Sequence, residues 1–117
     1  MAKTQNTKNT LSPVGAIIML SQSELEQLIR KTVVLYNRFR SPDASAKMVF
    51  VSTELVTISF SGSFCYSCGV LNYIEDFAHY FKILTSMAEL KVDRSRQASP
   101  RSFEADYTVK YLLSMTG

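Results

Sequence analysis

Both cysteines of the chain lie in one short stretch, SFCYSCG, at residues 63 to 69. Two residues separate Cys65 from Cys68, a spacing that permits a disulfide and that also supplies two of the four ligands of a zinc site. A strand is predicted before the stretch and a helix after it, and a helix N-terminus favours a thiolate over a thiol. The sequence therefore leaves three interpretations: a redox pair, half of a metal site, or two small side chains packed in a corner of the fold.

The redox interpretation makes Cys68 the thiol with the lowered pKa and Cys65 its disulfide partner. The order of strand, C-x-x-C and helix resembles that of thioredoxin-like proteins. Those proteins usually hold Gly-Pro between the cysteines, whereas this chain has Tyr66 and Ser67, and its only later proline, Pro100, falls in a predicted antiparallel hairpin. The predicted element order also differs, so we assign no family.

The metal interpretation lacks ligands within one chain. His79 is the only histidine, and it lies about three turns beyond Cys68 on the polar side of the predicted second helix. Zinc would need cysteines from a second chain or an acidic ligand such as Asp76. We predict no cofactor and keep zinc as the alternative.

A second candidate site comes from charge. The net charge is +3, and four basic residues fall between residues 91 and 101, namely Lys91, Arg94, Arg96 and Arg101, with Asp93 among them. Such a patch attracts phosphate groups of nucleic acids, although a solvated loop is its commoner role. The sequence shows no glycine-rich phosphate loop and no histidine placed beside a serine or cysteine nucleophile.

The first half of the chain predicts a helix and a hairpin. Ser21 and Glu24 form a capping box signal, so a helix should begin at Ser21 or Gln22 and end before Ser41-Pro42. Two alternating runs, AKMVFVS and ELVTISFS, should form strands joined by a tight turn at Thr53-Glu54.

The second half repeats this pattern. An apolar stripe from Val70 to Ala88 predicts a helix of about 18 residues. The runs LKVDR and SFEADYTVKYLL then predict two strands joined by a loop from Ser95 to Arg101. The fold class is α+β: a two-layer α/β sandwich in α-β-β-α-β-β order, with a mainly antiparallel four-stranded sheet and both helices on one face.

The other face of the sheet should be polar. Nine positions are predicted there, and none carries an aromatic ring, which argues against stacking of nucleic acid bases. They are Thr57, Ser59, Ser61, Lys91, Asp93, Glu104, Asp106, Thr108 and Lys110.

Residues 1–13 should form a disordered tail and residues 14–117 a single domain. The apolar segment Val14 to Leu20 could be an edge strand, a packed segment or a partner-binding arm. No apolar run is long enough to cross a bilayer, and we expect a cytoplasmic protein.

The leading functional hypothesis is a small cytoplasmic binding or interaction protein that forms a homodimer, and an enzyme is the less favoured class. The sequence shows no catalytic arrangement, it carries the apolar segment Val14 to Leu20, and a four-stranded sheet leaves two strand edges unpaired. Two alternatives stay open. The first is a thiol redox or metal-binding protein that uses Cys65 and Cys68. The second is weak, non-specific nucleic-acid binding through the predicted basic loop, residues 91–101.

Overall fold

A computed structural model describes residues 20–63 and 70–112 of the protein. The elements are α1 (Gln22–Arg40), β1 (Ser45–Val51), β2 (Leu55–Ser61), α2 (Val70–Leu84), β3 (Ala88–Ser99) and β4 (Ser102–Tyr111). This confirms the predicted α-β-β-α-β-β order. The predicted tail and most of the Val14 to Leu20 segment lie outside the described residues.

The four strands form one antiparallel sheet in the order β1-β2-β4-β3. One face, which we call the core face, carries fully buried side chains such as Ile58, Phe60 and Tyr107. Buried residues of both helices belong to the same hydrophobic cluster as these side chains. That shared cluster is consistent with the predicted placement of both helices on one face.

The start and end of α1 agree with the sequence prediction. The Ser21 hydroxyl accepts a hydrogen bond from the Glu24 N–H, and the Glu24 carboxylate accepts one from the Ser21 N–H. The two bonds satisfy backbone donors that an α-helix leaves free at its first turn. The helix then ends at Arg40, directly before Ser41-Pro42.

Two predictions for the second half are wrong. Helix α2 ends at Leu84 instead of continuing to Ala88, because Ala88 pairs with Tyr111 and begins β3. Most of the predicted loop from Ser95 to Arg101 is also strand, since β3 runs to Ser99. A helix and a strand both place apolar residues toward the core. The apolar pattern of the sequence therefore did not show where α2 ends and β3 begins.

The sheet has an internal pseudo-two-fold symmetry centred on the pair Thr57 and Asp106, where β2 meets β4. All six residue pairs between β1 and β2 have a counterpart between β3 and β4. For example, Met48 opposite Ile58 corresponds to Val92 opposite Tyr107. We call α1-β1-β2 the first unit and α2-β3-β4 the second unit. Their strand registers are the same.

Both edge strands contain a β-bulge at the corresponding place. The extra residue lies between Met48 and Phe50 in β1, and between Val92 and Arg94 in β3. Because a bulge reverses the side-chain alternation that follows it, Phe50 and Arg94 turn onto the polar face of the sheet. The prediction that this face carries no aromatic ring is therefore wrong, because Phe50 lies on it.

The end of β2 requires a glycine. Gly62 has a φ of +144°, and a Cβ atom there would collide with the backbone carbonyl of Asp43. Its N–H donates a hydrogen bond of 3.2 Å to the Arg101 carbonyl oxygen, which ties β2 to the β3–β4 turn. A side chain at this position would have both a steric clash and an unfavourable backbone conformation.

Candidate functional site

The predicted cysteine site lies outside the described residues, because Cys65 and Cys68 fall between residues 64 and 69. His79 is exposed on α2, and its ring contacts that of Tyr80 at 6.1 Å between centroids. Within residues 20–63 and 70–112, no group of three or more His, Cys, Asp or Glu side chains is placed to hold a metal ion. The redox and zinc interpretations remain predictions.

The basic residues lie mostly on a strand and not in the predicted loop, because β3 is longer than predicted. Lys91, Arg94 and Arg96 lie on this strand, opposite Thr108, Asp106 and Glu104 of β4, and all three are placed on the polar face. Arg101 lies in the turn that follows and is exposed. The structure therefore brings three of the four predicted residues together on one face of the sheet.

Acidic neighbours already bind one of these three side chains. Nη1 of Arg96 donates to the Asp106 carboxylate at 3.0 Å, and its Nη2 donates to Glu104 at 2.9 Å. Asp106 also accepts a hydrogen bond of 2.8 Å from the Thr57 hydroxyl. The hydrogen bond from Arg96 lowers the pKa of the Asp106 carboxyl. The side chain of Arg94 is 72% exposed and lies 3.9 Å from the Asp106 carboxylate and 4.0 Å from that of Asp93, so its ion pairs are longer than those of Arg96.

The polar face as a whole mixes the two signs of charge. The described residues on it include five basic and three acidic side chains: Lys47, Lys91, Arg94, Arg96, Lys110, Glu89, Glu104 and Asp106. The exposed ring of Phe50 lies at its β1 edge. Such a face suits weak phosphate contact more than recognition of bases, which uses several stacked rings.

A second site lies between α1 and the outer edge of β1. It is a cleft of about 410 Å³, lined by Arg30, Val33, Val34, Ala46, Lys47 and Met48. Its volume is within the range of pockets that bind small ligands, roughly 300 to 1,000 Å³. We call this site the α1–β1 cleft.

Side-chain amides of α1 bind the edge of β1 at two points. Asn37 accepts a hydrogen bond of 2.6 Å from the Ala46 N–H and donates one of 3.2 Å to the Ala46 carbonyl oxygen. Near the other end of the strand, Gln22 donates to the Val51 carbonyl oxygen at 3.0 Å. These amides occupy positions that a neighbouring strand would take at Ala46 and Val51, so a strand cannot pair along the full edge without displacing them.

Met48 lies on the edge of β1 between these two points. In an antiparallel strand, the N–H and C=O of every second residue point in the same direction. Since those of Ala46 point toward α1, those of Met48 also point away from β2 and toward the cleft. Within the part of the chain that the structure describes, no side chain of α1 hydrogen-bonds Met48.

Two cations flank the α1–β1 cleft. Arg30 projects from α1, while Lys47 lies on β1 opposite Ser59, on the polar face. Both residues are exposed, and neither has a carboxylate within 4.0 Å among residues 20–63 and 70–112. Among the residues that the structure describes, the cleft thus combines apolar walls, a strand edge without a backbone partner at Met48 and two positive charges.

No family model, curated protein or solved structure matches this chain. Neither of the described helices is long and apolar enough to cross a membrane. The functional conclusion therefore depends on the geometry of the sites alone.

Sequence reasoning missed the α1–β1 cleft. The signal available was Asn37, a polar residue on the side of α1 that faces the sheet edge, next to the buried Tyr36. A polar side chain at such a position needs hydrogen-bond partners, and a strand edge supplies them. The sequence did not show which strand would lie beside α1.

Proposed function

We propose that the protein acts by binding and that the α1–β1 cleft is its binding site. The observation that supports this proposal is that apolar side chains line the cleft, while Arg30 and Lys47 flank it without acidic partners among the described residues. Binding sites of this kind use apolar contacts for affinity and a few polar groups for orientation.

The chemistry of the cleft supports one class of partner. Val33, Val34 and Met48 offer contacts to an aliphatic or aromatic group, and Val34 is 61% exposed in the chain. Two cations at the rim favour a negative charge on the same partner. The partner should therefore carry an apolar group next to an anionic group, and a cationic partner of the same size should bind less well.

Calorimetric titration with octanoate tests this proposal, with octylamine as the cationic counterpart. We expect octanoate to bind more tightly. Arg30→Gln and Lys47→Gln should each weaken its binding about two- to fivefold, because a solvent-exposed ion pair contributes roughly 0.2 to 1 kcal/mol. Lys31→Gln is the matched control, since Lys31 is exposed on α1 but does not line the cleft. Equal binding of the two probes, or equal effects of Lys31→Gln and Arg30→Gln, would contradict the proposal.

We also retain the homodimer as a proposal, but we place it away from the strand edges. Asn37 and Gln22 bind the β1 edge, and two bulges and several charged side chains interrupt β3. Exposed apolar side chains of the helices, Phe39 at 62% and Ile83 at 61% exposure, are better suited to self-association.

Sedimentation analysis checks this second proposal. We expect a dimer at micromolar concentration and a monomer for the double variant Phe39→Ser, Ile83→Ser. A wild-type chain that stays monomeric at the highest soluble concentration would exclude the homodimer. The cytoplasmic location remains a prediction from the sequence.

A further inference from the structure

We infer that the partner held in the α1–β1 cleft is an extended, acidic polypeptide segment that pairs with β1 at Met48. This inference rests on the proposed function and specifies its partner. The cleft presents a backbone edge in addition to apolar walls, and a strand edge is recognised by another extended backbone.

The two amide contacts define a window along β1. Asn37 occupies the edge at Ala46 and Gln22 occupies it at Val51. Five residues of extended chain span roughly 16 Å. An added segment of about four residues fits between the two contacts, and its backbone can exchange an N–H and a C=O bond with Met48. A longer pairing would displace Asn37 or Gln22.

The side chains around the window match a strand with acidic and apolar residues. Successive side chains of an added strand point to opposite faces of the sheet. On one face they would meet Arg30 and Val34 of α1, and on the other they would meet Lys47. An acidic residue can thus be accommodated on either face, with an apolar residue against the valines.

Charge also favours a separate partner over the N-terminal segment of the same chain. Residues 1–23 contain Lys3 and Lys8 and no aspartate or glutamate. That segment therefore offers no carboxylate side chain to Arg30 or Lys47. A separate acidic segment satisfies both the cations and the strand edge.

The test uses a capped hexapeptide with four central valine and threonine residues between two aspartates, titrated against the full chain. Two matched peptides serve as controls, one with lysine in place of each aspartate and one with a methyl group on the central backbone nitrogen. We expect the methylated peptide to bind about tenfold more weakly, because it lacks a backbone donor for the Met48 carbonyl oxygen. The lysine peptide should bind at least fivefold more weakly.

The outcomes separate this inference from the proposed function. Binding of octanoate that depends on Arg30, without binding of the acidic peptide, would overturn the inference and leave the proposed function standing. Absence of binding by both probes would overturn both. Equal binding of the methylated and unmethylated peptides would overturn pairing with Met48.

Two further outcomes would assign the cleft to another occupant. Peptide binding that appears only after Ile17→Ser and Ile18→Ser would show that the chain's own N-terminal segment competes for the cleft, and it would overturn the inference. Conversion of a dimer to a monomer by Val34→Glu would assign the cleft to a second copy. Circular dichroism of each variant should match that of the wild-type chain.

Discussion

The first and second units share one strand register and one bulge position, but their surfaces differ. At the corresponding place beyond the bulge, the first unit exposes Phe50 and the second exposes Arg94. One edge is apolar and held by side-chain amides, whereas the other is charged. The comparison shows that pairing and core packing fix the backbone, while side chains on the polar face are free to differ.

The helices support the two edges in different ways. Asn37 of α1 makes two hydrogen bonds to the backbone of β1, in a partly buried position. In the second unit, Lys82 of α2 lies 3.9 Å from the Glu89 carboxylate of β3, and the two side chains are 66% and 38% exposed. Buried polar contacts contribute more to stability than exposed ion pairs, so the first contact should matter more.

The largest expected loss of stability comes from removing the contact between α1 and β1. Asn37→Ala leaves the N–H and C=O of Ala46 without their side-chain partner, and it should reduce the free energy of unfolding by about 1 to 3 kcal/mol. Lys82→Ala should reduce it by less than about 1 kcal/mol. Urea denaturation of both variants measures the contrast. Equal losses would show that the two helices hold their edges equally.

The second prediction concerns the carboxylate at the centre of the polar face. Asp106→Asn should lower the free energy of unfolding by about 1 kcal/mol at neutral pH, because Arg96 and Thr57 bond to the charged form. The folded pKa of Asp106 lies below its ordinary 3.8. Its stabilisation is therefore complete above 3.8 and is lost as the pH falls through the lower folded value. Denaturation of wild type and variant across acidic pH should show the difference between them disappear.

Asp93→Asn is the control for this prediction. Asp93 is the extra residue of the β3 bulge, and its side chain is 51% exposed at 4.0 Å from Arg94. Its replacement should change the free energy of unfolding by less than about 0.5 kcal/mol. A control as costly as Asp106→Asn would mean that both effects arise from net charge.

The third prediction addresses the nucleic-acid alternative and involves smaller changes. Affinity for single-stranded RNA should be weak and should fall steeply as salt rises. Arg94→Gln should weaken it more than Arg96→Gln, because Arg96 already bonds to Glu104 and Asp106. Fluorescence anisotropy at low salt measures both. No binding by the wild-type chain at low salt would exclude this function.

The smallest effect is expected at the cysteines. If Cys65 and Cys68 only pack in a corner of the fold, alkylation should be slow, and the intact mass should be the same with and without reductant. A mass lower by two hydrogens without reductant would support a disulfide. Zinc at half an equivalent per chain or more would support a ligand role. Either result would support a functional site at Cys65 and Cys68.

The sequence predicted the order of elements, the capping box at Ser21 and the turn at Thr53-Glu54. Each of these depends on local chemistry, such as a cap, a helix-breaking proline or strict alternation. Periodicity also identified most of the polar face, including Thr57 and Asp106. These features could be predicted because they involve residues close together in the chain.

The bulges and the α1–β1 cleft could not be predicted in this way. A bulge adds one residue, and nothing in MVFV or VDRS distinguishes a bulged strand from a regular one. The cleft depends on which strand becomes the edge and on where Asn37 meets it. Both are consequences of contacts between residues distant in the sequence, so they followed only from the assembled sheet.

The hydrogen bond between Thr57 and Asp106 lies on the pseudo-two-fold axis, where each unit meets its counterpart. Two copies of the second unit joined in the same way would place two aspartates against each other, and two copies of the first would place two threonines there. Repulsion would oppose the former, and the latter would lack the charged acceptor. The pairing between β2 and β4 therefore favours contact of a first unit with a second unit over contact of two like units.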